Sequence, residues 1–461
     1  MEPFLKYMKK SSAYKGNTFP FIIKILLFLF FFIFVFASME PYLATERTIF
    51  FYNIFMKGIA YGQRFFSIFE IYFVFIIIVL SFRFKLRIHN ATRFEKVFLF
   101  FIIANFVLKI LNPNSNPKYP VLGLPFLENL EDYLFLLLWF FIAYSSKKDF
   151  AIIIKNVFSI CSILIILRAI TDYFFYFFEG GSMSYSSYYG VASILTESDT
   201  LLFMSFFESI FWGLFLLTRR KKYFLSFLLL LSLLLLSYRR TALMIALMAD
   251  TLILMVYTIK IAALKQKPLI IIGLSIILVL FTLILSYPLL PTNIERYVRR
   301  YTAVIPFIGQ DATVVELSDT GHWRQTRMTI LSAIEKLGFW GGGYGNFDKY
   351  ELEGQSSSIH NVYAAAWAYH GLFYLIFILF LFFLLVQSLL KRYLLSKHRI
   401  SPASFYKICL LIFLICHFIG MAFTAFWIFD SFKMSLFWSL ILASIYKLDD
   451  RSFELYLIDN G

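Results

Sequence analysis

Charged residues are scarce in this sequence. Asp, Glu, Lys and Arg together make up 15% of the 461 residues, whereas 60% are hydrophobic, and the mean hydropathy is +0.75. This composition excludes an ordinary soluble domain and favours a membrane protein. Strict alternation of polar and apolar residues is also absent, which argues against the strands of an outer-membrane barrel.

Cysteine is scarce too, and no nucleotide-binding loop is found. The three cysteines, Cys161, Cys409 and Cys416, lie in apolar runs and are not spaced from histidines as metal ligands would be. We expect small buried side chains, and we predict neither a metal site nor a cofactor. The glycine cluster 341–347 follows no predicted strand and precedes no GK[ST] sequence. We interpret it as a turn that allows close backbone approach.

Long apolar runs are what the sequence has in abundance. Runs of about 20 apolar residues match the length of a membrane-spanning helix. We predict an all-α fold, a polytopic membrane helix bundle of about twelve transmembrane helices with one large helical periplasmic loop. The predicted spans are 19–38, 65–82, 96–111, 132–145, 151–170, 200–218, 223–237, 241–258, 267–287, 362–387, 404–425 and 432–446. They divide the chain into N-terminal transmembrane helices (1–287), the large loop (288–361), and C-terminal transmembrane helices with a short tail (362–461).

The distribution of basic residues predicts the orientation. The net charge is +15, but Lys and Arg cluster in short loops between the apolar runs, so the positive-inside rule accounts for them better than nucleic-acid binding does. One such cluster is 219–222, whereas the predicted outside loops 112–131 and 171–199 hold only Lys118 between them. We therefore predict a multi-pass membrane protein with both termini in the cytoplasm.

Two pairs of arginines on the predicted outside do not follow this rule. Arg239 and Arg240 lie in a tight turn, 237–240, and Arg324 and Arg327 share one face of a predicted loop helix. Guanidinium groups bind phosphate through paired hydrogen bonds and keep their charge at any relevant pH, so these four residues are candidates for a diphosphate site. Snorkelling to lipid headgroups and ordinary surface solvation are the open alternatives.

His360 is the strongest catalytic candidate. Together with Asn361 it stands where a predicted span begins. An imidazole at this boundary can be exposed to water and held in one orientation by the helix. It can then act as a base or proton shuttle near neutral pH. A purely structural role is the alternative.

Ionisable residues inside the predicted spans form another group of candidates. Such groups are costly in hydrocarbon and are suspected of function, with buried structural hydrogen bonding as the alternative. Arginine near a span end can also snorkel. The members are Glu70, Arg168, Glu208, Asp250 and His417.

Several motifs occur in a characteristic order between residues 220 and 390. They are the turn Ser237-Tyr238-Arg239-Arg240, the loop arginine Arg324 with the glycine cluster 341–347, and His360-Asn361 leading into Gly371-Leu372. In order and sidedness they resemble the bacterial O-antigen ligase and O-antigen polymerase superfamily. Thr241 departs from the family pattern, in which glycine often follows the turn arginine, and Trp323 precedes Arg324 instead of following it. The choice within each arginine pair therefore stays open, with Arg240 preferred over Arg239.

The resemblance implies glycan transfer at the periplasmic face of the bacterial cytoplasmic (inner) membrane, in lipopolysaccharide or other surface-polysaccharide biosynthesis. The donor would be an oligosaccharide on undecaprenyl diphosphate. The acceptor would be another lipid-linked repeat unit in a polymerase, which we favour, or the lipid A core in a ligase. His360 would be the catalytic residue, and the arginines would bind the diphosphate. Asn361 would be a supporting residue, and the site would contain no metal.

A polysaccharide transporter or lipid flippase is the rival from another class. It would depend on Glu208 and Asp250 and not on His360. Transporters are often built from internal repeats, and no obvious repeat relates the two halves of this sequence. The large outside loop is also unusual for a carrier.

Overall fold

The computed structural model of the chain describes only part of it. The described residues are 96–97, 100, 103–104, 107, 158–167, 170, 198–236, 240–260, 338–341, 361–391, 400–423, 438, 441–442 and 444–445. All regular secondary structure in them is helical, so the all-α prediction is confirmed for this part of the chain.

Seven α-helices of the described part are labelled here in chain order. They are α1 (Phe158–Leu167), α2 (Ser198–Thr218), α3 (Lys221–Leu236), α4 (Arg240–Lys260), α5 (Val362–His370), α6 (Leu372–Leu389) and α7 (Pro402–Gly420). Short 3-10 turns occupy Gly338–Trp340 and Met421–Phe423. Four helices, α2, α4, α6 and α7, are long and apolar enough to cross a membrane. Several long apolar helices are what a multi-pass membrane protein requires.

Helices α2 and α7 form the centre of the described bundle. In their spans 78% and 83% of the residues are buried, against 22% in α6, which lies at the periphery. Helix α2 packs against α3, α4 and α7, and α4 packs against α7. A Cβ atom at Gly213 of α2 would lie 2.6 Å from Sγ of Cys409, so glycine allows these two central helices to approach closely.

The helices of the bundle begin and end at two opposite ends of it. At one of them, which we call the basic end, the run 219–222 links α2 to α3, and Arg219 adopts a positive φ of 58°. The Arg219 guanidinium donates a hydrogen bond of 2.9 Å to the hydroxyl of Tyr257, near the end of α4. The Tyr257 ring in turn contacts Phe405, at the start of α7. The end that the charge pattern predicts to be cytoplasmic is therefore held together by these contacts.

The prediction of one continuous span over 362–387 is wrong. The structure contains two helices, α5 and α6, separated by Gly371 at φ 90° and ψ 172°. Such dihedral angles are available almost only to glycine. The Gly371 N–H still closes α5 by donating to the carbonyl of Trp367 at 2.9 Å. The membrane-length helix is therefore α6, and α5 is a separate short helix before it.

The cysteine prediction is confirmed. Cys161, Cys409 and Cys416 are buried free thiols with exposed fractions of at most 5%. They act as small apolar side chains in the core.

Candidate functional site

The first group of polar contacts ties the start of α5 to the end of α7. Asn361 is the N-cap of α5, and its Oδ1 accepts a hydrogen bond from the backbone N–H of Ala364 at 2.9 Å. Its Nδ2 donates to the carbonyl of Ala422, just beyond α7, also at 2.9 Å. Two residues downstream, the Tyr363 hydroxyl donates to the carbonyl of Phe418 at 2.6 Å. Three hydrogen bonds therefore fix the residues that immediately follow His360.

The start of α4 lies at this same end of the bundle, which we call the Asn361 end. A Cβ atom at Gly420, the last residue of α7, would meet Ile245 at 2.5 Å and Thr241 at 3.9 Å. The carbonyl of Ala242 accepts a hydrogen bond from the Ser205 hydroxyl of α2 at 2.9 Å. The end of α7 therefore contacts both α5, through Asn361, and α4, which begins at Arg240.

Two of the predicted site residues are thus brought to one end of the bundle. The sequence placed Arg240 in a turn, whereas the structure makes it the first residue of α4. Asn361 is described with its side-chain contacts, as given above. The remaining predicted site residues, His360, Arg239, Arg324 and Arg327, lie outside the described residues, as do Glu70 and Arg168.

The described start of the glycine cluster packs against the junction between α5 and α6. Gly341 has a positive φ of 67°, as the predicted turn requires. The rings of Phe339 and Trp340 contact Phe373 at centroid distances of 6.1 and 6.3 Å. The closest backbone approach is made by Gly371, where a Cβ atom would collide with the carbonyl oxygen of Phe339 and lie 2.8 Å from the carbonyl carbon of Trp340.

A second polar group lies in the core, where α2 and α4 meet. Glu208 of α2 is fully buried, and its Oε2 accepts a hydrogen bond from the Ser209 hydroxyl at 3.2 Å. The carboxyl group of Asp250, on α4, lies beside Glu208 and Ser209. Two of the ionisable residues that the sequence singled out are therefore neighbours. Ser209 was not predicted, although its position next to Glu208 was the available signal.

His417 is separate from that pair. Its Nδ1 accepts a hydrogen bond of 3.0 Å from the indole N–H of Trp438, and its ring packs between Trp438 and Phe413. One ring nitrogen of this buried imidazole is therefore bonded to an indole, whereas Nε2 has no partner among the described residues. The hydrogen bond to Trp438 could not be predicted, because the two residues belong to different predicted spans.

Loss of the Asn361 side chain should destabilise the Asn361 end. Asn361→Ala removes a helix cap, at about 1 kcal/mol, and a hydrogen bond to Ala422, at about 1 kcal/mol. Asn361→Ser keeps a cap acceptor but cannot reach Ala422, so about half of the loss is expected. The midpoint of thermal unfolding in detergent measures both. Equal midpoints for the alanine and serine variants would show that the cap contributes nothing.

No protein-family model matches this chain, and no curated protein is similar to it. The similarity to the O-antigen ligase and polymerase superfamily therefore rests on the motifs alone, and what it implies is a proposal.

Proposed function

We propose that this protein is a membrane glycosyltransferase that polymerises repeat units of a surface polysaccharide. It takes an oligosaccharide from undecaprenyl diphosphate and joins it to an acceptor sugar at the periplasmic face of the bacterial inner membrane. The observation that carries the proposal is the convergence at the Asn361 end. Helix α4 begins there with Arg240, and α5 begins there directly after His360 and Asn361.

The chemistry assigned to this end is displacement of a diphosphate by a hydroxyl group. The acceptor oxygen forms a bond to the anomeric carbon of the donor, and the bond between that carbon and the phosphate oxygen breaks. His360 takes the proton of the acceptor hydroxyl, and undecaprenyl diphosphate leaves with the bonding electron pair. No metal is needed in this scheme, because arginines neutralise the leaving group.

Arg240 supports this assignment through its position at a helix start. The first N–H groups of a helix carry a partial positive charge and favour anions. Helix α4 begins at an arginine, a residue that keeps its charge at any relevant pH. Arg239, Arg324 and Arg327 are the further candidates for the diphosphate.

Asn361 supports His360 by position. Its side chain caps α5 and bonds the backbone beyond α7, so the chain that leads out of His360 is anchored at two points. Restricting this backbone limits the orientations open to the neighbouring imidazole, as a positioned base requires.

Arg240→Ala is expected to slow glycan transfer by about 100-fold, the usual loss when one fixed donor to a developing negative charge is removed. Arg240→Lys should recover part of the rate, since it restores the charge without the forked geometry. The assay is transfer between purified lipid-linked oligosaccharides in detergent. Arg220→Ala, at the basic end, is the matched control and should keep the wild-type rate. Equal rates for Arg240→Ala and the wild type would remove Arg240 from the site.

Complementation of a polysaccharide-deficient strain tests the function itself. If the protein is a polymerase, the wild type restores a ladder of repeat lengths on a gel. If it is a ligase, glycan accumulates on the lipid carrier in its absence and moves to the lipid A core when the protein is restored. Protein expression is confirmed by immunoblot in every strain. A strain that shows neither change argues against glycan transfer of either kind.

A transporter or flippase is the second candidate, and the Glu208–Asp250 pair favours it. Buried carboxyl groups inside membrane helices mark ion pathways in many carriers. Variants of Glu208 and His360, tested in the same strain, distinguish transport from glycan transfer. Transport would be abolished by Glu208→Gln and would survive loss of His360, whereas glycan transfer would show the opposite dependence.

A further inference from the structure

The carboxyl pair lies at the middle of two membrane-length helices. Glu208 is ten residues from Ser198 and ten from Thr218, the ends of α2, and Asp250 is ten residues from Arg240 and ten from Lys260, the ends of α4. At about 1.5 Å per residue, each carboxyl is roughly 15 Å from either helix end. The hydrocarbon core of a bilayer is about 30 Å thick. The pair is therefore at the depth where a charged group is most costly.

The basic residues described on the surrounding helices lie near the helix ends and not at the level of the pair. Within the described residues, the basic residues of α2, α3, α4 and α7 all lie within two turns of a helix end. They are Lys221, Lys222, Arg240, Lys260 and Lys407. The other buried titratable groups on these helices and on α1 are thiols, phenols and an imidazole. They are Cys161 on α1, Tyr223 on α3, Tyr257 on α4, and Tyr406, Cys409, Cys416 and His417 on α7.

Two carboxyl oxygens of the pair have no hydrogen-bond partner among the described residues. Glu208 Oε1 and Asp250 Oδ1 are inaccessible to solvent and make no hydrogen bond with any described residue. A carboxylate oxygen can only accept, so each of these atoms lacks a donor among the described residues, and a proton or a bound cation would supply the missing partner. Two carboxylates this close repel each other, and a proton or a cation shared between them removes much of that repulsion. Buried polar atoms are seldom left unpaired, because the loss of hydration is then uncompensated.

We propose that Glu208, Ser209 and Asp250 form a binding site for a monovalent cation, a proton or a sodium ion, in the middle of the membrane. Glu208 Oε1 and Asp250 Oδ1 are the free ligands, and the Ser209 hydroxyl holds the second oxygen of Glu208. Carboxylate and hydroxyl oxygens are the ligands that hard cations prefer. One bound positive charge lowers the net charge of the ionised pair from −2 to −1, which reduces the electrostatic cost of the site.

This site does not depend on the proposed glycan transfer. It lies in the core between α2 and α4, whereas the transfer residues belong to the Asn361 end. A cation bound there would make the packing of α2 against α4 sensitive to the ion gradient across the membrane.

Infrared difference spectroscopy on the full chain in lipid nanodiscs tests the proposal directly. The stretching band of a protonated carboxyl group is followed from acid to alkaline pH, in sodium chloride and in choline chloride. We expect the band to disappear as the pH rises. A transition at lower pH in sodium identifies a sodium site, and the same transition in both salts identifies a proton site. A band that stays constant at every pH in both salts overturns the proposal, because the pair then holds its proton permanently.

Two variants and a chemical label assign the band. Glu208→Gln and Asp250→Asn should each abolish the titrating band, while His417→Leu, the matched control in the same core, should leave it unchanged. Dicyclohexylcarbodiimide reacts with protonated carboxyl groups in apolar surroundings, and peptide mass spectrometry of the labelled wild type identifies the residue even if a variant does not fold. Labelling on Glu208 or Asp250 that is lost with the band supports the site. A titrating band with labelling only elsewhere overturns it.

Discussion

Replacing His360 with alanine is expected to lower the rate of glycan transfer by about 10²- to 10⁴-fold, the usual contribution of a positioned general base. The acceptor hydroxyl is a poor nucleophile until its proton is removed, and His360 is the predicted acceptor of that proton. The residue stands directly before Asn361, which the hydrogen bonds to Ala364 and Ala422 hold in place. The measurement is the initial rate of transfer between purified lipid-linked oligosaccharides.

A pH profile separates catalysis by His360 from a structural role. A base must be unprotonated to act, so wild-type activity should fall at acid pH, where an imidazole gains a proton. The His360→Ala variant should lose this dependence together with the rate. A variant that is slow but keeps the wild-type pH profile would show that His360 acts only on the structure.

His370→Ala is the matched control for this experiment. His370 ends the same short helix, α5, that follows His360, and the motif assigns it no role. It should keep a rate within a few-fold of the wild type. If both histidine variants lose activity equally, disturbance of α5 and not loss of a base explains the result.

Gly371→Ala should cause the largest loss of stability of any single change described here, about 4 kcal/mol. Two costs add. A non-glycine residue at φ 90° and ψ 172° costs about 1–3 kcal/mol. The new methyl group would also collide with the backbone of Phe339 and Trp340, and overpacking of this kind costs about 1–3 kcal/mol. Backbone atoms cannot swing aside as a side chain can, so the turn 338–341 must move away from α6.

Gly420→Ala is the control for that variant. A Cβ atom at Gly420 meets the flexible end of Ile245, which can change rotamer, and its backbone is helical. Alanine also favours a helix over glycine by about 1 kcal/mol. The net effect should therefore be at most about 1 kcal/mol. Midpoints of thermal unfolding in detergent, followed by circular dichroism, give both values, and equal midpoints would mean that the contact between Gly371 and the 338–341 turn is not needed.

The sequence alone predicted most of the helices in the described part of the chain. The predicted spans 200–218 and 241–258 differ from α2 and α4 by at most two residues at either end, because hydrophobic runs of this length leave few alternatives to a helix that bonds all of its own backbone groups. The exception is 362–387. Hydropathy does not reveal a break in a helix when the residues on both sides of the break are apolar. The one sequence signal for a break here was the glycine at position 371.

For the candidate site, the sequence predicted the residues but not their contacts. His360, Asn361 and the arginines were found because their chemistry stands out against an apolar sequence, and that holds without any structure. Their neighbours were not predictable. Asn361 bonds a backbone carbonyl 61 residues away, and a backbone acceptor carries no mark in the sequence.

The sequence by itself determined that this chain forms apolar helices of membrane length, and which residues in it can carry charge or hold a proton. Only the tertiary structure decided which of them meet. Glu208 and Asp250 stood as two isolated ionisable residues in separate spans, and the packing of α2 against α4 made them a pair. The physical reason is that hydrophobicity specifies burial but is non-directional. The pairing of helices follows from shape at close contacts such as Gly213 with Cys409, which no local pattern encodes.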